Sequence, residues 1–241
     1  MTYLPRSPFI GYAHPMSIWE RIGEALSALA AGESLSEVFA KLKTPPEKSI
    51  GFTIAVIALG AKMAKADGQV TRDEVAAFRQ VFHIPTGEEE NAARVYNLAR
   101  NDVAGYDGYA RQIARLFGPK EKVLEDVLDG LFHIALADGE YHPGENQFLE
   151  DVASIFGVGD ECFNRLRARY SSDHKDPYAI LGVSRGEDAK VVRKKWRDLV
   201  QINHPDRVIA RGVPEEAVKM AEKRLAEINE AYEEITRDLA A

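Results

Sequence analysis

A chain of 241 residues, 45% hydrophobic and 29% charged, suits a soluble globular protein of one large or two ordinary domains. Its formal net charge of -7 divides into 19 Lys/Arg against 25 Asp/Glu over residues 1–175 and 12 against 13 over residues 176–241, which excludes the broad basic field of a nucleic-acid binder. The single cysteine, Cys162, excludes an intramolecular disulfide and a cysteine-based zinc site, and suits a reducing, cytoplasmic compartment.

Met1 to Pro15 contains proline and aromatic residues without a period, and no apolar core of a signal peptide, so an irregular arm is expected. Ser17-Ile18-Trp19-Glu20 reads as a capping box, which makes Met16 an alternative start. Ile18, Ile22, Leu26 and Leu29 then recur at helical spacing. A second box, Ser34-Leu35-Ser36-Glu37, opens a short helix that Thr44-Pro45-Pro46 closes. Residues 1–46 are therefore expected to be an arm followed by two short helices.

From Glu47 to about Arg169 every periodic segment is helical and none alternates as a strand. Ile50 to Ala64 is the most apolar stretch, about 15 residues against the roughly 20 that span a bilayer, and Lys62 and Lys65 interrupt its end. A helix buried in a soluble core is expected there, with no integral membrane segment. Further helices are expected near Glu89–Arg100, Tyr106–Phe117 and Pro119–Leu136. Residues 63–74, MAKADGQVTRDE, repeat as residues 134–145, IALADGEYHPGE. In both copies an apolar helix runs into Asp-Gly, where Gly68 and Gly139 can take positive φ past a helix end, and a second helix follows. Thr71 with Glu74, and Pro143 with Glu145, supply start signals for those second helices.

The duplicated ADGxxxxxE hairpin resembles the TerB-type domain associated with tellurite resistance. That resemblance implies Asp67, Glu74, Asp138 and Glu145 as candidate ligands of a divalent cation. Cap and turn chemistry alone also accounts for an Asp before Gly and a Glu at the third helical position. Two carboxylates per turn fall short of the six to eight oxygens calcium takes. Residues 47–169 are read as this all-α domain, and the polar, aperiodic Tyr170–Lys175 as a linker.

Asp176-Pro177-Tyr178-Ala179-Ile180-Leu181-Gly182 opens the last module, with Asp176 as N-cap, Pro177 at the first helical position and Gly182 as terminator. A helix from about Glu187 to Ile202 carries Ala189, Val192, Trp196 and Leu199 on one face. Lys190, Arg193, Lys194 and Arg197 lie together on another. Asn203-His204-Pro205-Asp206-Arg207 interrupts the pattern. From Pro214 to about Leu239 a long helix is expected, with Ala217, Ala221, Leu225, Ile228, Tyr232, Ile235 and Leu239 as an apolar stripe. The two amphipathic helices should pack antiparallel, with the short first helix closing one side.

These elements in this order resemble the J-domain family: DPYAILGV, a basic helix ending in HPDR, then INEAYEEI on the third helix, over residues 176–241. The resemblance implies that His204, Pro205 and Asp206, with the cations Lys190, Arg193, Lys194 and Arg197, dock on a DnaK-type chaperone and favour its ATP hydrolysis. Trp196 stands where the family usually has Tyr, and is read as core packing. A hydrogen bond that stabilises the loop is the plainer role for His204 and Asp206, and is compatible with docking. With no neighbouring nucleophile or cofactor motif, they are not read as a catalytic dyad, and the protein is not expected to be an enzyme. The chain lacks the Gly/Phe-rich region and cysteine-rich zinc module that some J-proteins use to hold clients.

The expected architecture is all-α: a helical bundle with a duplicated hairpin, then a small three- or four-helix J-domain. The expected function is a cytoplasmic co-chaperone without cofactor whose helical domain binds an unnamed partner or ligand, leaving peripheral membrane association open. The alternative is a sensor of cation or metal stress that uses the J-domain as its output.

Overall fold

The computed structural model describes Ile22 and residues 47–67, 84, 89–101, 105–118, 122–137, 143–170, 175–214 and 217–240. The arm and the two short helices expected over residues 1–46, apart from Ile22, lie outside the described residues. So does the second helix of the first repeat. Among the described residues the protein is helical throughout, with no strand.

Helix α1 (Glu47–Asp67) is the centre of the first domain. Its side chains from Ile50 to Met63 are buried all round, as expected of a helix that is apolar on every face. Around it pack α2 (Glu89–Asn101), α3 (Tyr106–Phe117), α4 (Lys122–Ala135) and α5 (Pro143–Phe156). No helix among the described residues is long and apolar enough to cross a membrane. Lys62, which interrupts the apolar run in sequence, is itself buried, its ammonium 5.1 Å from the centroid of the Tyr109 ring. Gly51 lets α3 close on α1: a Cβ there would stand 2.7 Å from Leu116 Cδ2. Helix α4 packs on α5, the two helices of the second repeat, and on α6 (Asp160–Tyr170). Tyr170, assigned to the linker in the sequence reading, is the last residue of α6.

The second domain begins with α7 (Pro177–Leu181). The Asp176 carboxylate accepts from the Tyr178 amide, and Gly182 closes the helix in the left-handed region at φ 66°. Helix α8 (Ala189–Asn203) starts at an Asp188 cap, and α10 (Val218–Ala240) packs on α7 and α8. Tyr178, Ile180, Leu181, Val192, Leu199, Ile228, Ala231 and Ile235 form the core of this unit. Trp196 joins it from one side, stacked on Tyr232 at 4.4 Å with its Nε1–H donating to Asn229 Oδ1 at 2.9 Å.

The segment after α8 departs from expectation. Instead of merely interrupting the helix, Pro205 opens a new one, α9 (Pro205–Ala210), because proline fits the first helical position and His204 caps it. The final α-helix runs Val218–Ala240, and the Ala217 amide donates to the Pro214 carbonyl at 3.0 Å in the turn that leads into it. Ala189 and Leu239, both placed on apolar stripes by spacing, are exposed at the ends of their helices, where no element among the described residues covers them.

Candidate functional site

Backbone geometry makes the His204-Pro205-Asp206 turn. Helix α8 ends at Asn203, whose side-chain amide donates to the Leu199 carbonyl at 2.7 Å. His204 is in extended conformation and serves both as the C-cap of α8 and the N-cap of α9; its Nδ1 accepts from the Asp206 amide at 3.3 Å. The expected loop-stabilising bond is therefore a helix cap made by a histidine. It leaves the business groups outside: the His204 side chain is 53% exposed and the Asp206 carboxylate 88%. A carboxylate so exposed at a rigid helix start is free to meet a cation on another molecule.

Lys190, Arg193, Lys194 and Arg197 are all exposed on α8, and none pairs with a carboxylate among the described residues. Their neighbour Lys195 differs. It turns towards the first domain and pairs with Glu161 of α6, whose carboxyl the ammonium holds below its usual range. The basic face is thus the four residues spaced three and four apart, leading directly into the capped turn.

Of the candidate cation ligands, Glu74, Asp138 and the side chain of Asp67 lie outside the described residues. Glu145 is buried in the first turn of α5, where the positive end of the helix dipole favours a carboxylate. Among the described residues no three His, Cys, Asp or Glu side chains are placed to hold a metal ion. Burial pushes the Cys162 thiol up to about 12, which keeps it protonated and unreactive.

Sequence reasoning missed a second polar constellation, between the domains. Asp126 and Asp129 of α4 are wholly buried, one helical turn apart. Asp126 accepts from Arg211 Nε at 2.6 Å and Nη2 at 2.8 Å, and from Arg224 Nη2 at 2.7 Å. Asp129 accepts from Arg169 Nη1 at 2.6 Å and from the Tyr170 hydroxyl at 3.0 Å, with Arg224 Nε 3.4 Å from its other oxygen. Arg169 Nε then donates to Glu227 at 2.8 Å, and Lys175 Nζ to the same carboxylate at 2.6 Å. The charges alternate along Arg211, Asp126, Arg224, Asp129, Arg169, Glu227 and Lys175. Burial alone would push the Asp129 carboxyl up, but the Arg169 and Arg224 guanidiniums outweigh it and hold the group below its ordinary value.

Residues 53–168 match the family model for tellurite resistance protein TerB, and residues 176–239 match the DnaJ domain. With the capped HPD turn and its basic approach, these matches define a J-domain protein in which a TerB-type helical domain precedes the DnaJ domain. The chain is similar to Co-chaperone protein DjlA of Aliivibrio fischeri, at 26% identity over 226 residues, 80% of each chain. It is likewise similar to DjlA of Vibrio vulnificus strain CMCP6, at 28% over 239 residues and 78% of each chain, and of Coxiella burnetii, at 25% over 196 residues and 73% of each chain. The two domain matches in this order, with similarity to DjlA proteins over about four-fifths of the chain, support a DjlA-like DnaJ-type co-chaperone. No solved structure matches it.

Proposed function

We propose that this co-chaperone stimulates ATP hydrolysis by a DnaK-type chaperone, docking through His204, Pro205, Asp206 and the cations Lys190, Arg193, Lys194 and Arg197. One observation carries the reading: the exposed Asp206 sits on a turn capped at the end of a helix whose outer face holds four cations with no carboxylate partner among the described residues. The cations steer an acidic partner surface towards the turn, and the fixed turn presents one carboxylate and one imidazole to it. The helical domain supplies targeting through a partner or ligand of its own.

The test is the steady-state ATPase rate of the cognate DnaK with and without the purified full chain. We expect wild type to raise the rate and His204→Gln to abolish the increase. Equal stimulation by both proteins would overturn the assignment of the turn.

A further inference from the structure

The J-domain does not keep all of its own core. Val208 of α9, together with Val213, Ala217, Met220 and Ala221 beyond it, packs into the hydrophobic cluster of the first domain and not into the cluster of α7, α8 and α10. The approach is close enough that a Cβ on Gly130 of α4 would lie 3.7 Å from Met220 Cε and 3.5 Å from Val56. The stretch that starts with His204 is therefore seated on the helical domain by its apolar side.

A polar clamp fixes the same stretch. Arg211 directly follows α9, and its planar guanidinium makes three bonds at once. Two run to the two oxygens of Asp126, and Nη1 donates to the Ile202 carbonyl at 2.7 Å. Ile202 lies two residues before His204. The Arg211–Ile202 bond thus closes a ring of backbone around His204, Pro205 and Asp206, and Asp126 of the other domain holds the guanidinium that closes it. Asp126 is fully buried and also accepts from Arg224, so its own position is fixed on both sides. A lysine could neutralise Asp126 but could not reproduce the forked contact to two acceptors in different directions.

We infer that Asp126 and Arg211 are positioning residues for the His204-Pro205-Asp206 turn, so that the helical domain sets the rigidity of the surface the J-domain presents. The inference deepens the proposed function and rests on it only for its consequence in binding; the clamp itself is a property of the chain alone. Loosening the ring spreads the turn over many conformations, so the partner meets a smaller competent fraction and apparent affinity falls.

The experiment compares the wild-type 241-residue chain with Arg211→Gln, Asp126→Asn and Arg211→Lys, the last keeping a cation beside Asp126 so that the fold is retained. Backbone amide exchange over residues 203–210 is read against exchange in α1, and DnaK stimulation is titrated to separate half-saturating concentration from maximal rate. Arg211→Gln and Arg211→Lys are expected to speed exchange over 203–210 about tenfold while α1 stays protected, and Asp126→Asn, which also strands the buried Arg224, to speed exchange more over 203–210 than in α1. Each should also raise the half-saturating concentration by a similar factor with the maximal rate largely kept. The Asp126→Asn/Arg211→Gln double variant should be no worse than the worse single, because both break one clamp. Unchanged exchange over 203–210, or exchange rising equally in α1, would overturn the inference and leave Arg211 a general stabilising residue. If wild type fails to stimulate DnaK while exchange responds locally, the proposed function falls and the clamp stands.

Discussion

The cations of α8 and the charged ladder at the domain junction draw on the same chemistry and are treated in opposite ways. Lys190, Arg193, Lys194 and Arg197 are exposed and have no carboxylate partners among the described residues; Arg169 and Arg224 are buried between carboxylates. An exposed cation keeps its hydration, costs the fold little and reaches outward, but salt screens it. A buried guanidinium has lost its water and is stable only with its partners in place, so it fixes geometry. Under the proposed function, the cations that meet another molecule are those with no carboxylate partner among the described residues, while charge that orders this molecule is paired internally. Lys195 marks the border: it belongs to the basic helix, yet it is turned inward onto Glu161.

The comparison breaks most visibly at Asp129. Asp129→Ala would leave the buried Arg169 and Arg224 short of a counter-charge and remove one of the two acceptors of the Tyr170 hydroxyl, the other being the backbone carbonyl of residue 129. We expect a loss of about 3–5 kcal/mol in urea denaturation of the full chain. A loss below about 1 kcal/mol would mean that the ladder is solvated and no different in kind from the surface strip.

Acid should probe the same difference with a smaller effect. The Asp129 carboxyl in the folded chain sits below its ordinary value of 3.8, so on acidification the unfolded chain takes up that proton first. The stability it contributes is complete above 3.8 and drains as pH falls through the lowered native value. Urea midpoints should therefore hold towards neutrality and fall below about pH 4, with a shallower acid limb in Asp129→Asn. An identical acid limb in the variant would show that other carboxylates carry the whole effect.

The two kinds of charge were not equally legible in the sequence. The basic strip could be read because spacing of three and four residues places side chains on one face whatever that face touches. The helix starts at Asp176 and Pro143 and the stop at Gly182 could be read because caps act over a few residues. The ladder could not, since Arg169 and Glu227 meet across 58 positions and Asp126 and Arg224 across 98. A signal was present: Asp126 and Asp129 interrupt the apolar run of α4, and Arg224 and Glu227 flank the stripe of α10. Periodicity assigns such residues to solvent, and only the other domain's surface reverses that. The same limit hid α9, where Val208 is buried by the first domain and not by its own.

The smallest effect on the fold should come from the strip itself. Arg193→Ala with Lys194→Ala removes two exposed cations that have no carboxylate partner among the described residues, so the change in unfolding free energy should stay within about 0.5 kcal/mol. Encounter with an acidic partner surface responds differently, because the steering field comes from the sum of the strip. At low ionic strength the pair of substitutions should raise the half-saturating concentration for DnaK stimulation about tenfold, and the gap from wild type should shrink as salt is added. A clamp variant such as Arg211→Lys should show the reverse pattern, since its defect lies in the shape of the turn and persists at high salt. The ionic-strength dependence of the two defects therefore separates steering from positioning, even where their sizes at one salt concentration coincide.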